Sequence, residues 1–393
     1  MEGSTITIAR WELYAMIAAI VLGPLIVNEA WRAATPSAAS AQVVSVVRGI
    51  FAPWSRLARP WYRAGGMHVT PLISVGTIVV PALFFGGAVR AAGIHFFALW
   101  LAFGVALIAS SLRGWDKEFY VGFILPLYVM VIFAAPALVP AGHVASLAAL
   151  LVAGVAGMLV KIGVCMSIGL HRYAAHAAFK CGPVVRFGLS VLGCLANQGG
   201  PIWWASQHRA HHKFCDGERD PHSAEQVGVV KAFVFFDRIT NVNEEFAPRH
   251  LESLSIRVLD TFAGACVAVE FYLAHRFGGL PALWVSYVSA VLCQTVTLWF
   301  NIVNHPPRQP GAPDKCDASD HTNSALVEPP TPVFKFLNLF LWCTDLVGEE
   351  THLHHHEHPA ASHRPVNKGV DFPYYAIVWP LKKAGLLTNL KNH

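Results

Sequence analysis

The chain has 393 residues, but only 13% of them are charged and 54% are hydrophobic. Soluble proteins carry about 25% charged residues, so this composition excludes an ordinary soluble globular protein and predicts an integral membrane protein. The formal net charge of +5 is modest and gives no reason to expect a nucleic-acid partner.

Apolar stretches along the chain predict the membrane spans, because a spanning helix needs about 20 mostly apolar residues. They lie at 13–28, 70–89, 94–112, 119–140, 144–170, 259–275 and 280–302. The loop 30–69 contains arginines and no acidic residue, which predicts that it is cytoplasmic. Each later pair of spans returns the chain to that side, so we expect 171–258 and 303–393 to be cytoplasmic too.

The predicted fold is an all-α integral membrane protein, in which a multi-span helical bundle carries a cytoplasmic helical cap. An N-terminal membrane region, 1–115, would contain about three spans, and a second region, 116–393, would contain about four spans and the cap. The eight cysteines are scattered without a CxxC pair. That pattern argues against a disulfide framework and against a thiolate metal site.

Histidines form four clusters in the predicted cytoplasmic parts. They supply nine candidate metal ligands, which are His171, His176, His208, His211, His212, His305, His352, His355 and His356. The second and fourth clusters have i, i+3, i+4 spacing, so each can present three imidazoles on one helix face. His171 and His176 are five residues apart, about 140° on an α-helix. They therefore face different metals, or the helix bends between them.

Nine histidines are too many for one ion and a natural number for two. Imidazole suits Zn, Cu, Fe and Ni, so ligand type alone does not choose the metal. A structural zinc needs only four ligands and no cysteine is placed to help, which favours two redox-active irons. His354, His358 and His363 are out of phase with the other clusters and are expected to be peripheral.

Other polar residues near the clusters have expected supporting roles. A metal-bound histidine usually donates its second N–H to a carboxylate or carbonyl, which makes candidates of Asp216, Asp220, His222, Glu349 and Glu350. Asn301 shares a helix face with His305 and is suited to hold a metal-bound water. Three cations, Arg172, Arg209 and Lys213, are candidates for holding a polar headgroup or the acidic face of an electron donor.

The motif set resembles the membrane-bound acyl-CoA/acyl-lipid Δ9-type fatty acid desaturases over roughly 119–370. It consists of "HRYAAH", "HRAHHKF" followed by "DPH", "NIVNH" after a membrane hairpin, and "GEETHLHHH". The resemblance implies a diiron centre held by the nine histidines, with Asn301 acting through water. It implies an O2-dependent oxidoreductase of fatty acid biosynthesis that introduces a cis double bond into an acyl-CoA or acyl-lipid.

The resemblance also implies partners and a location. No His-Pro-Gly-Gly haem motif is present, so two electrons would come from a separate donor of the cytochrome b5 or ferredoxin type with its reductase. The active site would face the cytoplasm, at a bacterial inner membrane or the endoplasmic reticulum. Two alternatives are a diiron alkyl or lipid hydroxylase and a zinc-dependent membrane lipid hydrolase, although the latter needs only about three histidine ligands.

Overall fold

The computed structural model describes residues 144–233, 242–243, 245–305 and 332–391. The spans predicted before residue 144, the basic loop 30–69 and the boundary at 115/116 lie outside these residues. The α-helices are α1 (Val144–Val160), α2 (Pro183–Cys194), α3 (Pro201–Phe214), α4 (Ala224–Val227), α5 (Val229–Phe233), α6 (Leu254–Thr261), α7 (Ala263–Asn304), α8 (Pro332–Asn338), α9 (Trp342–Leu346), α10 (His352–Glu357) and α11 (Trp379–Lys383).

Shorter elements complete the described fold. Two π-helical segments span Lys161–Ala175 and Tyr374–Val378, and two 3₁₀ turns span Arg249–Leu251 and Val366–Lys368. Strands β1 (Lys180–Cys181) and β2 (Leu387–Thr388) pair antiparallel and tie the end of the described chain to the segment before α2. The described part is thus mostly helical, as the sequence predicts.

Two helical stretches in the described ranges are long and apolar enough to cross a membrane. The first, Ala145–Ala175, is α1 with its π-helical continuation, and the second, Ala263–Asn304, is α7. The first matches the span predicted at 144–170. The second covers both of the spans predicted at 259–275 and 280–302.

α7 is a hairpin of two helical arms rather than one straight helix. Glu270 and Ser286 are 16 residues apart, which is about 24 Å along a straight helix. The Ser286 hydroxyl nevertheless donates to Glu270 Oε1 over 2.6 Å. The chain reverses at Gly279, whose φ of 64° and ψ of −157° lie outside the helical range, just before Pro281. The turn therefore falls in the loop that the sequence predicts between the two spans.

A buried ion pair joins the α7 hairpin to the first apolar stretch. Lys161 Nζ lies 2.6 Å from Glu270 Oε2 and also donates to the Leu195 carbonyl over 2.8 Å. Charges among apolar helices are stable only when paired, because an isolated buried ion is costly. These contacts give Glu270 a structural partner that the sequence alone did not identify.

The N-terminus of α3 is capped by a side chain from another helix. Asp260 of α6 accepts hydrogen bonds from the backbone N–H groups of Ile202 and Trp203, over 2.7 and 2.9 Å. A Cβ on Gly200 would approach Asp260 to within 2.3 Å, so glycine is needed for this close contact. Pro201 occupies the first helical turn, where its missing N–H costs nothing. The cap fixes the start of the helix that carries the second histidine cluster.

Candidate metal centre

Five of the nine predicted histidines converge on one point. Their nitrogens can all lie within 4.8 Å of one another. The set, named here the five-histidine cluster, contains His171, His176, His208, His212 and His355. It draws on the first π-helical segment and its end, on α3 and on α10.

The other four converge on a second, neighbouring point. The four-histidine cluster contains His211, His305, His352 and His356, and its nitrogens also lie within 4.8 Å of one another. α3 and α10 each contribute to both clusters, because adjacent residues such as His211 and His212 point to different sides of one helix face. The ring centroids of these two are 5.7 Å apart. The structure thus divides the nine histidines into two adjacent groups.

His171 and His176 join the same cluster because the helix between them is not an α-helix. Residues Lys161–Ala175 are π-helical, and the His176 N–H donates to the His171 carbonyl, five residues back, over 3.2 Å. This i→i+5 bond brings the two imidazoles to a centroid distance of 5.0 Å. Of the two alternatives left open by the spacing, departure from regular helix geometry is therefore the right one.

The Nε2 atoms of several clustered histidines lie within hydrogen-bond distance of one another. The Nε2 atoms of His171 and His355 are 2.8 Å apart, as are those of His305 and His352. His211 Nε2 is buried and has no hydrogen-bond partner in the protein. Converging lone pairs and a buried orphan acceptor leave a desolvation cost that a cation would remove. The donor set therefore fits metal ions.

Carboxylates lie behind one histidine of the five-histidine cluster and two of the four-histidine cluster. Glu349 Oε2 lies 2.9 Å from His171 Nδ1. In the other cluster, Asp220 Oδ2 lies 2.8 Å from His211 Nδ1, and Asp216 Oδ2 lies 3.0 Å from His305 Nδ1. When the imidazole proton is on Nδ1, Nε2 is unprotonated and its lone pair points into the cluster.

The electrostatics of these carboxylates keep them ionised. Burial alone would raise the pKa of Glu349, but His171 and Arg172 outweigh it and lower the pKa to about 2. Burial likewise opposes ionisation of Asp220 and Asp216, yet His211 holds the pKa of Asp220 below its usual range and His305 does so for Asp216. All three can therefore accept a hydrogen bond from an imidazole Nδ1–H at neutral pH.

Most of the clustered imidazoles are neutral near pH 7, as metal ligands must be. Burial, followed by the charge of neighbouring imidazoles, holds the pKa well below 6.5 for six of them, namely His176, His208, His212, His352, His355 and His356. Burial also lowers the pKa of His305, although Asp216 opposes it. His211 differs, because the Asp220 carboxylate outweighs burial and raises its pKa.

A cavity with an apolar wall opens onto both clusters. Histidines of both groups line it, His171 and His208 from one and His352 from the other. Its apolar wall is formed by Met166, Trp204, Ala232, Leu298 and Phe300. Trp204 stacks on the His208 ring at 4.7 Å and 24°. The cavity is therefore suited to an apolar group whose reacting part must come close to both clusters.

The remaining predicted residues have mixed outcomes. Asn301 lines the cavity, and its Nδ2 lies 2.8 Å from His222 Nδ1. His222 stacks on His211 at 4.4 Å, and burial lowers its pKa to about 3. Glu350 is hydrogen-bonded to Asp345 and lowers the pKa of that carboxyl with Arg364. Of the five supporting residues predicted, three carboxylates contact clustered histidines directly. Glu350 contacts Asp345 through its side chain, and its carbonyl accepts the His352 N–H over 2.8 Å.

Arg172, a candidate for holding a headgroup or an electron donor, is buried. Its Nη1 lies 2.6 Å from Asp371 Oδ2 and its Nη2 lies 3.6 Å from Glu349 Oε1. The contacts shown for its guanidinium are within the protein, and the headgroup or donor role stays a prediction. Arg209 is half-buried and its Nε donates to the Ala175 carbonyl over 2.6 Å, whereas Lys213 is exposed.

Sequence reasoning also missed several contacts of the site. Asp371 binds Arg172, and Ser167 donates a hydrogen bond to Glu349. Both are distant in sequence from the groups they contact, and no motif marks them. Cys215 is disulfide-bonded, which the scattered cysteine spacing did not predict, and its sulfur offers no thiolate to the neighbouring His305.

The chain is similar in sequence to proteins named as fatty acid desaturases. No protein-family model matches the chain. It is 42% identical over 149 residues to Delta-9 acyl-lipid desaturase 1 of Arabidopsis thaliana, which is 36% of this chain and 49% of the relative. It is 28% identical over 201 residues to the acyl-CoA C20 Delta5-desaturase of Anemone leveillei, which is 49% of this chain and 62% of the relative.

A third relative, acyl-CoA desaturase 1 of Saccharomyces cerevisiae, is 22% identical over 245 residues, which is 58% of this chain and 44% of the relative. The chain is related to the fatty acid desaturases. It spans less than two thirds of the length of each of these relatives. Two of their names place the double bond at different positions, so the similarity does not determine a bond position.

Proposed function

We propose that the chain is a membrane fatty acid desaturase that introduces a cis double bond, of the Δ9 type, into a fatty acyl chain. The observation that carries the proposal is the convergence of nine histidines on two adjacent points beside one apolar cavity. The relatives named as desaturases support the same class of reaction. The reaction class requires O2 and two electrons.

Two iron ions would occupy the clusters, one held by the five histidines and one by the four, with Asn301 contributing through a water. Bound there with O2, iron supplies the oxidising power needed to remove hydrogen from unactivated C–H bonds. The overall reaction is –CH2–CH2– + O2 + 2 e⁻ + 2 H⁺ → –CH=CH– + 2 H2O. To bind iron, each of the two clusters would need neutral imidazoles with their Nε2 atoms directed at the ion.

The chain's own residues would supply that orientation. Glu349, Asp220 and Asp216 would hold the Nδ1 protons of their histidines, which keeps Nε2 available and fixes the rings. The ion pair between Arg172 and Asp371 would in turn hold Glu349 in place from behind. Losing such support costs about 10–100-fold in metal affinity in other metalloproteins.

The apolar cavity would hold the alkyl chain and exclude water from the reacting carbons. Burying one methylene stabilises a bound chain by about 0.8 kcal/mol, so a wall of several apolar side chains gives useful affinity without any polar contact. Trp204 and Phe300 line this wall beside the histidines. They would position the two carbons that lose hydrogen.

The proposed setting is a membrane, with the histidine-bearing face toward the cytoplasm, in a bacterial inner membrane or the endoplasmic reticulum. The substrate would be an acyl-CoA or acyl-lipid. Electrons would come from a separate cytochrome b5 or ferredoxin type donor with its reductase. Lys213 is exposed on the last turn of α3 and would face such a donor.

Expression of the full chain in a desaturase-deficient host, with a donor and reductase supplied, tests the proposal. We expect a new cis-monounsaturated fatty acid, with the double bond at C9 when its derivative is fragmented by mass spectrometry. The matched control is His355→Ala, which should give no such product.

The outcomes separate the alternatives. A hydroxylated acyl product would show that the chain is a hydroxylase and not a desaturase. A double bond at a carbon other than C9 would correct only the Δ9 assignment. Folded, iron-loaded protein that gives no oxidised acyl product with a working donor would contradict the proposal.

A further inference from the structure

A second group of metal-binding side chains lies on the opposite face of α10. His354, Glu357 and His358 follow the i, i+3, i+4 pattern on this helix. Their ligand atoms lie within 4.8 Å of one another. Glu357 and His358 are exposed and His354 is half-buried, so the group faces away from the two histidine clusters.

The side chains are already close to the arrangement that a divalent cation needs. The rings of His354 and His358 stack at 4.4 Å and 24°, and the His358 N–H donates to the His354 carbonyl over 2.9 Å, which keeps the pair on one helical turn. Two donors bound to one ion at about 2.1 Å lie about 3.0–4.2 Å apart. Small rotations of exposed side chains would reach this spacing.

The chemistry of the group favours a first-row divalent ion. Two imidazoles and one carboxylate form a mixed nitrogen and oxygen set that suits Fe²⁺, Co²⁺, Ni²⁺ and Zn²⁺ better than Ca²⁺ or Mg²⁺. Exposure of Glu357 and His358 leaves room for water to complete the coordination. Such a site exchanges its ion readily, because neither burial nor a rigid shell retains it.

A second cavity connects this group with the five-histidine cluster. It is small, with room for about one water-sized ligand, and it is lined by His354 and His358 and also by His171 and His355. His171 is only 5% exposed, so the cavity runs from the surface to a buried ligand. Its other walls include Arg364, Thr351 and His363, and it differs in polarity from the apolar cavity on the other side.

We infer that His354, Glu357 and His358 form an outer divalent-cation site through which metal enters the five-histidine cluster. The ion would first bind at the exposed α10 face and then pass along the second cavity to His355 and His171. Metal and acyl chain would thus reach the centre from different sides. The entry role rests on the proposed metal centre, whereas cation binding at the outer site does not.

Metal counting on the full chain tests the inference. The protein is purified in detergent through a histidine-free affinity tag, stripped of metal, and dialysed against Co²⁺. We expect three Co²⁺ per wild-type chain, of which the weakest-bound is lost in the His354→Ala/His358→Ala double variant. His275→Ala, a half-exposed histidine in the α7 hairpin, is the matched control and should keep all three.

A second readout follows entry itself. Metal-free protein is mixed with Fe²⁺, and iron still accessible to a chromogenic ferrous chelator is measured over time. The double variant should fill the inner clusters more slowly but reach the same final content of chelator-inaccessible iron as wild type.

The outcomes are distinguishable from failure of the proposed function. Equal Co²⁺ counts in wild type and the double variant would overturn the outer site, and equal iron uptake rates would overturn the entry role. If the inner clusters bound no metal, one Co²⁺ would still be present in wild type and absent from the double variant. That result would uphold the outer site, overturn the entry role and contradict the proposed centre.

Discussion

The two histidine clusters share α3 and α10 but differ in their third element and in the carboxylates behind them. The five-histidine cluster has one carboxylate contact, between His171 and Glu349. The four-histidine cluster has two, from Asp220 to His211 and from Asp216 to His305. Asp220 also accepts the Asp216 backbone N–H over 2.8 Å, so the two carboxylates form one unit.

The two clusters also differ in the number of metal coordination positions that their histidines would leave open. An ion with six positions would have one left in the five-histidine cluster and two in the four-histidine cluster, before Asn301 and its water are counted. The smaller cluster thus has more open positions and stronger hydrogen-bonded support. We expect it to be the more sensitive of the two to changes in charge and pH.

Removal of one ligand from either cluster is expected to have the largest effect. His355→Ala should lower iron content from two toward one per chain and abolish desaturation, and His211→Ala should do the same from the other side, because both irons are needed. Elemental analysis and fatty-acid profiling measure the two effects. His275→Ala serves as the control. Full activity in His355→Ala would contradict the assignment of His355 as a metal ligand.

Neutralising a supporting carboxylate should have an intermediate effect. Asp220→Asn should weaken metal binding in the four-histidine cluster by about 10–100-fold, because His211 loses its charged acceptor. Glu349→Gln should act on the five-histidine cluster alone. Competition with a metal-binding dye measures both affinities, and equal weakening of both sites by Asp220→Asn would show that the clusters are not separable.

Lowering the pH should weaken the four-histidine cluster first. The pKa of His211 is raised in the metal-free fold, so its protonated form stabilises that fold. This stabilisation is lost as the pH rises through the folded-state pKa. Metal must displace that proton, so affinity should fall by up to about tenfold per pH unit below the folded pKa. Four histidines of the other cluster stay neutral well below pH 6.5.

Site-resolved Co²⁺ titrations between about pH 8 and pH 6 check this difference. Asp220→Asn should remove most of the pH dependence, because the raised pKa of His211 depends on that carboxylate. A steeper fall in Co²⁺ affinity with falling pH at the five-histidine cluster than at the four-histidine cluster would contradict this expectation.

Lys213→Ala should have the smallest effect. The side chain is exposed and outside both clusters, so iron content and thermal stability should not change. If Lys213 faces the electron donor, turnover at limiting donor should fall by about twofold to threefold and recover at high donor, since a single exposed charge contributes up to about 1 kcal/mol. Steady-state assays at varied donor concentration measure this, and a drop in iron content would instead place Lys213 in the centre.

Helix-face spacing predicted much of the site. The i, i+3, i+4 patterns in α3 and α10 depend only on local helix geometry, and the structure places both triplets on helices. The hairpin turn at Gly279 was also predictable from length and apolar pattern. The division into five and four was not, because it depends on how α3, α7 and α10 pack together.

The remaining features depend on contacts between distant residues. The π-helical geometry that unites His171 and His176 has no local signature in the sequence. Arg172 was a candidate for a headgroup or donor contact because it lies in a histidine motif, yet its guanidinium pairs with Asp371, 199 residues later. Asp260 caps α3 across 58 residues. Periodicity cannot predict such pairings.

Anomalous diffraction at the iron edge from crystals of the iron-loaded full chain tests the central claim most directly. The account predicts two separate iron peaks, one among the Nε2 atoms of the five-histidine cluster and one among those of the four-histidine cluster. A single peak, or zinc at one cluster with no iron at either, would contradict it.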